Sequence, residues 1–256
     1  MNIRVLGAYN CTSVSSRLIS LLIDDVVAVD AGAIASGLSF EAQQKIKAIL
    51  LTHQHYDHVR DIPAIAMNLW LRGTQVTIYS IPEVYNAIIT HLLNDKIYPN
   101  FYQRPLHNPT LRPGIVEPLQ ALEIEGYSVL AVPVKHSTPT VGYQVTSHDG
   151  KVVFYTGDTG PGLANCWQHI SPQLLITEVT APDRYKEEAI KVGHLTPSLL
   201  RQELIGFRDI KGYLPRVLVV HISPHLERET AAEIAVVEKE LGSSITLADE
   251  GMQINL

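Results

Sequence analysis

The chain has 256 residues, 46% of them hydrophobic and 18% charged, enough to bury a sizeable core without covalent staples. Its formal net charge of -6 excludes the global basic field that draws nucleic acid irrespective of sequence, and so favours a small ligand over a long polyanion. The two cysteines, Cys11 and Cys166, lie far apart, no apolar run approaches the roughly 20 residues of a membrane span, and the opening MNIRVLGAYN lacks the basic start and apolar run of a signal peptide, so a cytoplasmic protein with no membrane partner is expected.

In chain order, Asn2 to Val5, Ser16 to Ile23 and Val26 to Asp30 are short apolar, β-branched runs between polar turns, the pattern of an opening β-meander. Lys45 to Thr52 supplies a further strand. From Val59 to Leu71, Ile62, Ile65, Ala66, Leu69 and Trp70 recur at helical spacing. A strand at Val76 to Tyr79 and a helix over Pro82 to Leu93 follow. Residues 94–113, rich in Asn, Pro, Tyr and His, carry no period and read as a long loop or lid, in which Tyr98, Phe101 and Tyr102 either wall a ligand or pack the loop itself.

Strands are then expected at Leu122 to Ile124, Tyr127 to Pro133, Thr140 to Thr146, Lys151 to Thr156 and Leu174 to Glu178. A helix from Thr196, a strand at Val217 to His221 and a helix from Glu227 complete the pattern. β-rich then helical segments occur twice without a short repeat, which a single domain over residues 1–256, a two-sheet sandwich with helices outside, accounts for.

The strongest chemical signal is Thr52-His53-Gln54-His55-Tyr56-Asp57-His58, where the buried run Ala48-Ile49-Leu50-Leu51 enters a loop. If the backbone stays extended, His53, His55 and Asp57 point together while His58 faces away, so one loop can feed two adjacent metal positions. Imidazole and carboxylate suit zinc, iron or manganese, and the absence of thiolate argues against a purely structural zinc. One loop cannot close two sites. His136, Asp158 and His221 each follow directly on an apolar strand, and that shared placement marks them as further ligands over core histidines and a turn aspartate.

The run THQHYDH resembles the H-x-H-x-D-H signature of the metallo-β-lactamase superfamily, and Asp30-Ala31-Gly32 resembles the turn that precedes it. The resemblance covers nearly the whole chain and implies an α/β (in some schemes α+β) fold, the metallo-β-lactamase αββα four-layer sandwich of two mixed β-sheets with helices on the outer faces. It also implies two divalent metal ions, zinc first, with manganese or iron as alternatives. His53, His55 and His136 would hold one, Asp57, His58 and His221 the other, and Asp158 would bridge.

Asn94 to Phe101, Gly157 to Gly162, Thr177-Glu178-Val179 and Gly193-His194-Leu195-Thr196-Pro197 resemble segments of class II cyclic nucleotide phosphodiesterases, although Gly7 to Cys11 replaces their glycine-rich opening and Val59-Arg60-Asp61 differs. Lys135 to Tyr143 and Tyr155 to Thr159 resemble ribonuclease Z. A small phosphodiester such as a 3',5'-cyclic nucleotide is therefore the expected substrate, tRNA the rival, with a thioester hydrolase or a non-catalytic metal-binding protein behind them, and a homodimer as the commonest assembly. Catalysis is expected of Asp57, His194 and Glu178. His194 would protonate the leaving alkoxide beside a helix start with Thr196 as N-cap and Pro197 at its first position, whose exposed N–H groups favour an anion, while Glu178 would orient His194.

Overall fold

The computed structural model describes residues 1–256. The opening alternation becomes an antiparallel meander of β1 (Asn2–Gly7), β2 (Ser20–Ile23) and β3 (Val27–Val29), with Ile3 opposite Ile23 and Leu21 opposite Val29. Two single-turn helices, α1 (Ile34–Gly37) and α2 (Phe40–Gln43), lead to β4 (Ala48–Leu50), which lies parallel to β3. β4 is buried throughout, as expected of a parallel strand covered on both faces. After α3 (Tyr56–Val59) and α4 (Ile62–Trp70), the sheet grows by β5 (Val76–Ser80), then by β6 (Leu111–Ile115) beyond α5 (Pro82–Ala87). α5 runs on into a π turn at Ile88–Leu92.

The second sheet starts with the antiparallel β7 (Ala121–Ile124), β8 (Tyr127–Val134), β9 (Thr140–Thr146) and β10 (Val152–Tyr155). It continues in parallel through α6 (Ala164–His169), β11 (Leu174–Glu178), α7 (Lys186–Val192), α8 (Pro197–Lys211), β12 (Arg216–Val220), α9 (Glu227–Leu241) and β13 (Ile245–Leu247). The last strand, β14 (Gln253–Asn255), returns to pair with β1. Each sheet is mixed and has seven strands, in the orders β14-β1-β2-β3-β4-β5-β6 and β13-β12-β11-β10-β9-β8-β7. One cluster of buried apolar side chains runs through both.

Trp167 of α6 meets Phe154 of β10 and Phe207 of α8 edge to face, which seats those helices on the second sheet. Burying each such ring contributes roughly 1.5–3 kcal/mol. No helix is long and apolar enough to cross a membrane.

The expected bounds of the loop change, and one of its two readings holds. The loop read over 94–113 ends before Leu111, because Leu111–Ile115 pairs in parallel with β5. Pro113 and Gly114 conceal the strand, and an edge position tolerates them. Phe101 and Tyr102 are buried, Tyr102 meeting Tyr85 at 5.2 Å and Phe101 lying between Trp70 and Tyr98, so these rings pack the loop. The elements α1, α2, α3, α6, α7, β13 and β14 lie outside the expected set, since three to seven residues give too few periods to read.

Candidate metal centre

Five of the seven residues expected as ligands lie just beyond the end of a strand. His53 and His55 follow β4, His136 follows β8, Asp158 follows β10 and His221 follows β12. Asp57 and His58 sit on α3, so the extended alternation stops at His55, the residue that caps the helix. For that reason His58 does not face away. The helical turn swings Asp57 and His58 to the same side, with His58 Nε2 3.2 Å from Asp158 Oδ1 and 3.5 Å from Asp57 Oδ2.

The residues expected as ligands make two donor groups. His53, His55, His136 and Asp158 form one, and Asp57, His58, Asp158 and His221 the other, the ligand atoms within each lying no more than 4.8 Å apart. Asp158 belongs to both. His221 Nε2 stands 3.0 Å from Asp57 Oδ2 and 3.4 Å from Asp158 Oδ2, and His53 Nε2 is 3.7 Å from Asp158 Oδ2.

The surrounding hydrogen bonds fix which nitrogen faces inward. His58 donates from Nδ1 to Asp30 at 2.7 Å, His136 from Nδ1 to the Gly193 carbonyl at 2.8 Å, and His221 from Nδ1 to the Thr180 hydroxyl at 3.0 Å. The Thr52 hydroxyl donates to Asp30 and accepts from His53 Nδ1. Each of these four rings therefore turns its Nε2 to the centre, the arrangement by which outer partners orient metal-binding imidazoles. His55 presents Nδ1, which lies 3.1 Å from His136 Nε2.

Burial holds His53, His55 and His136 below the usual imidazole range, leaving their lone pairs available. Burial also acts against charge on Asp158, but His221 and His58 hold its carboxyl well below the usual range. For His58 burial is outweighed by Asp158 and Asp30, which push it well above. His53 Nε2, His58 Nε2 and Asp158 Oδ1 are buried without hydrogen-bond partners. Converging, partnerless donors of imidazole and carboxylate type fit divalent metal ions.

The backbone is bent to make this cluster. His221 adopts φ 60° and Asp30 φ 56°, left-handed conformations that cost a residue bearing Cβ about 1–3 kcal/mol. Gly193 suits its place, because φ 83° strains any residue with a side chain and an added Cβ would lie 3.1 Å from both Cα and Nδ1 of His136. At Gly32 an added Cβ would stand 2.3 Å from the Asp57 carbonyl oxygen.

His194 lies at the edge of the cluster, its ring centroid 5.1 Å from that of His136 and 5.4 Å from that of His221. It donates from Nδ1 to Glu178 at 2.6 Å, so Nε2 is left to face a ligand. Glu178 is fully buried and also accepts from the Thr159 and Leu195 N–H groups and the Thr180 hydroxyl. Burial would lower the His194 pKa, yet the Glu178 carboxylate outweighs it and raises the group to about 9. The anion-binding helix start beside His194 is not available as expected. Thr196 makes no cap bond, and the Asp183 carboxylate takes that place, accepting from Ser198 N at 3.0 Å.

Asp30 has a role that its reading as part of a turn missed. Fully buried, it takes up the Thr52 N–H, the Thr52 hydroxyl and His58 Nδ1 together. A carboxylate closing an apolar strand is the signal that could have found it. Asp30→Ala is expected to weaken metal binding by about 10–100-fold. Stranding those donors should also destabilise the fold by about 3 kcal/mol. Chelator-buffered metal titration and urea unfolding measure the two effects, and unchanged metal affinity would release Asp30 from this role.

A family model described as a beta-lactamase superfamily domain matches residues 27–222. The chain is 34% identical to ribonuclease Z of Pyrococcus abyssi over 112 residues, which cover 43% of this chain and 34% of that protein. It is 25% identical to ribonuclease Z of Mycolicibacterium gilvum over 128 residues, covering 46% and 44%. The matched stretches thus span a third to a half of those relatives' length. Among solved structures, unliganded yeast PDE1 superposes with a TM-score of 0.87 at 17% identity, covering 100% of this chain and 99% of that one. The short form of human tRNase Z superposes with a TM-score of 0.68 at 20% identity, with 100% and 99% covered. At such identities the structural likeness speaks for the fold. With the family model matched from β3 to just beyond His221, and two seven-stranded sheets arranged as that fold requires, the chain belongs to the beta-lactamase superfamily and has the metallo-β-lactamase fold.

Proposed function

We propose that the protein is a zinc-dependent phosphodiesterase acting on a small diester, with a 3',5'-cyclic nucleotide as the leading candidate. The observation that carries this reading is the pair of donor groups sharing Asp158, bordered by a histidine whose Nδ1 is tied to a buried glutamate. His53, His55 and His136 would hold one cation, Asp57, His58 and His221 the second, and Asp158 both. Bound there, two divalent ions supply Lewis acidity, which activates water at neutral pH and neutralises charge on phosphoryl oxygens.

The chain's own residues do the remaining work. Asp57, 3.0 Å from His221 Nε2, is positioned both as ligand and as a carboxylate facing the reaction centre. Glu178 fixes the tautomer of His194, directing its Nε2 toward the leaving oxygen, and keeps it protonated at neutral pH. A protonated imidazole there can give its proton to a departing alkoxide.

Two features support a small diester. The net charge is -6, and Arg104, in the loop before β6, is engaged with Asp95 at 2.9 Å. The similarity to ribonuclease Z proteins favours tRNA as a second reading. The two differ in salt response, because only a polyanion releases many counterions on binding. A steep loss of activity with salt on precursor tRNA, beside a flat response on cyclic nucleotide, would establish the second reading.

On zinc-replete protein, phosphodiesters are expected to be turned over with a far higher kcat/KM than phosphomonoesters, thioesters or β-lactams. A panel of 3',5'-cyclic AMP and GMP, bis(p-nitrophenyl) phosphate, precursor tRNA, a thioester and a β-lactam measures this. A thioester as the best substrate by kcat/KM would overturn the phosphodiesterase reading.

A further inference from the structure

Thr180 lies two residues beyond the end of β11, and its hydroxyl meets Glu178, the last residue of that strand, at 2.8 Å. Its main chain is held from both sides. The Thr180 N–H donates to the carbonyl of Leu195, next to His194, and the Thr180 carbonyl accepts from the N–H of Ser223, two residues after His221. The hydroxyl therefore stands between the loop that carries the proposed proton donor and the loop that carries an expected ligand.

A threonine oxygen carries one hydrogen, and three groups lie within its reach: Glu178 Oε2 at 2.8 Å, His221 Nδ1 at 3.0 Å and His194 Nδ1 at 3.3 Å. A carboxylate only accepts. Both oxygens of Glu178 also take backbone N–H groups, from Thr159 and Leu195, so the hydroxyl hydrogen goes to Glu178. His194 has given its own Nδ1 hydrogen to Glu178 at 2.6 Å. The threonine oxygen is left as the acceptor for His221, and a neutral His221 ring must then carry its hydrogen on Nδ1 and keep Nε2 free. Without that constraint the ring has another choice, because Nε2 lies 3.0 Å from Asp57 Oδ2 and could donate there. The same unit recurs in the first donor group, where the Thr52 hydroxyl donates to Asp30 and accepts from His53 Nδ1.

We propose that Thr180 is a positioning residue for the second cation: its hydroxyl, turned by Glu178, holds His221 in the tautomer whose Nε2 lone pair faces the metal. The inference rests on the two-metal reading above and deepens it. One buried carboxylate then serves both halves of the site, orienting His194 directly and His221 through Thr180. Histidine ligands commonly give their outer N–H to a carboxylate, a carbonyl or water. A hydroxyl by itself can either donate or accept, and it becomes a fixed acceptor here because Glu178 stands behind it.

The test separates the hydroxyl from the rest of the side chain. Thr180→Val keeps the branched shape and removes the hydroxyl, whereas Thr180→Ser keeps the hydroxyl. Zinc is titrated into each full chain against a chelator of known affinity, and wild type is expected to take two ions. Thr180→Val should bind one as wild type does and the other roughly 10–100-fold more weakly, the cost of losing an outer partner of a metal ligand. Thr180→Ser should recover most of that loss. Long-range proton–nitrogen NMR reads the tautomer without turnover: in zinc-free wild type the neutral His221 ring should carry its hydrogen on Nδ1, and in Thr180→Val on Nε2. The wild-type spectrum needs no variant, so it decides even where Thr180→Val fails to fold. Unchanged affinity for both ions in folded Thr180→Val, an equal loss in folded Thr180→Ser, or an Nε2 hydrogen in wild type overturns the assignment. Wild type that takes up no zinc overturns the two-metal reading instead, with the spectrum still showing whether Thr180 sets the His221 ring.

Discussion

Asp158→Ala is expected to remove bound metal from both positions and to lower kcat/KM on a diester by roughly 10⁴-fold or more, the scale seen when a group on which a whole catalytic unit depends is deleted. Asp158 alone belongs to the donor groups on both sides. Losing an outer hydrogen-bond partner of a metal ligand costs about 10–100-fold in metal affinity. A residue that would coordinate two cations should cost more than that. The carboxylate also offsets the charge on His58, 3.2 Å away and buried. Its removal leaves a buried imidazole that Asp30 alone must balance, and breaking a buried pair in this way costs about 3–5 kcal/mol. Elemental analysis for metal per chain, made beside circular dichroism to confirm folding, separates the two effects. Two metals per folded Asp158→Ala chain would remove Asp158 from the centre.

His194→Ala is expected to keep its metals and to lose roughly 10²–10⁴-fold in kcat on a nucleotide diester, the usual contribution of a positioned acid. The loss should shrink on bis(p-nitrophenyl) phosphate, because p-nitrophenolate departs without a proton and a ribose alkoxide does not. In the wild type the same group governs the alkaline limb. Glu178 raises the His194 pKa to about 9, which stabilises the protonated form, so acid catalysis is intact at neutral pH and is lost as pH rises through that value. Cations bound beside it pull the pKa down, so the limb falls at or below about 9. His194→Ala should abolish the limb. Equal losses on the two diesters, with metals retained, would make His194 a positioning residue.

Much of this candidate centre was legible because most residues expected as ligands share a local signature, a polar residue placed just after an apolar strand. His136, Asp158 and His221 could be picked out by that signature although they lie on three different strands. What stayed hidden depends on contacts between distant segments. The direction of His58 required knowing that the chain turns helical at Tyr56, a single turn with no period to betray it. The Asp183 cap on α8 reaches across 15 residues of sequence and displaces the local candidate Thr196. The hydrogen bonds that Asp30 accepts from Thr52 and His58 span 22 and 28 residues. β6 was masked by Pro113 and Gly114, whose turn signals are overridden once a strand needs to pair on one side only.

The donors are divided between the sheets: His53, His55, Asp57 and His58 follow β4 of the first, while His136, Asp158 and His221 extend the second. A cation held by both sets would act as a cross-link closing a loop over much of the chain. Closing so long a loop removes conformational entropy from the denatured chain, and the ligands exist as a set only in the folded one, so metal affinity becomes folding free energy. Chelation should therefore loosen the seam between the sheets before it melts either of them, with amide exchange rising first at the strand ends around His53 and His221.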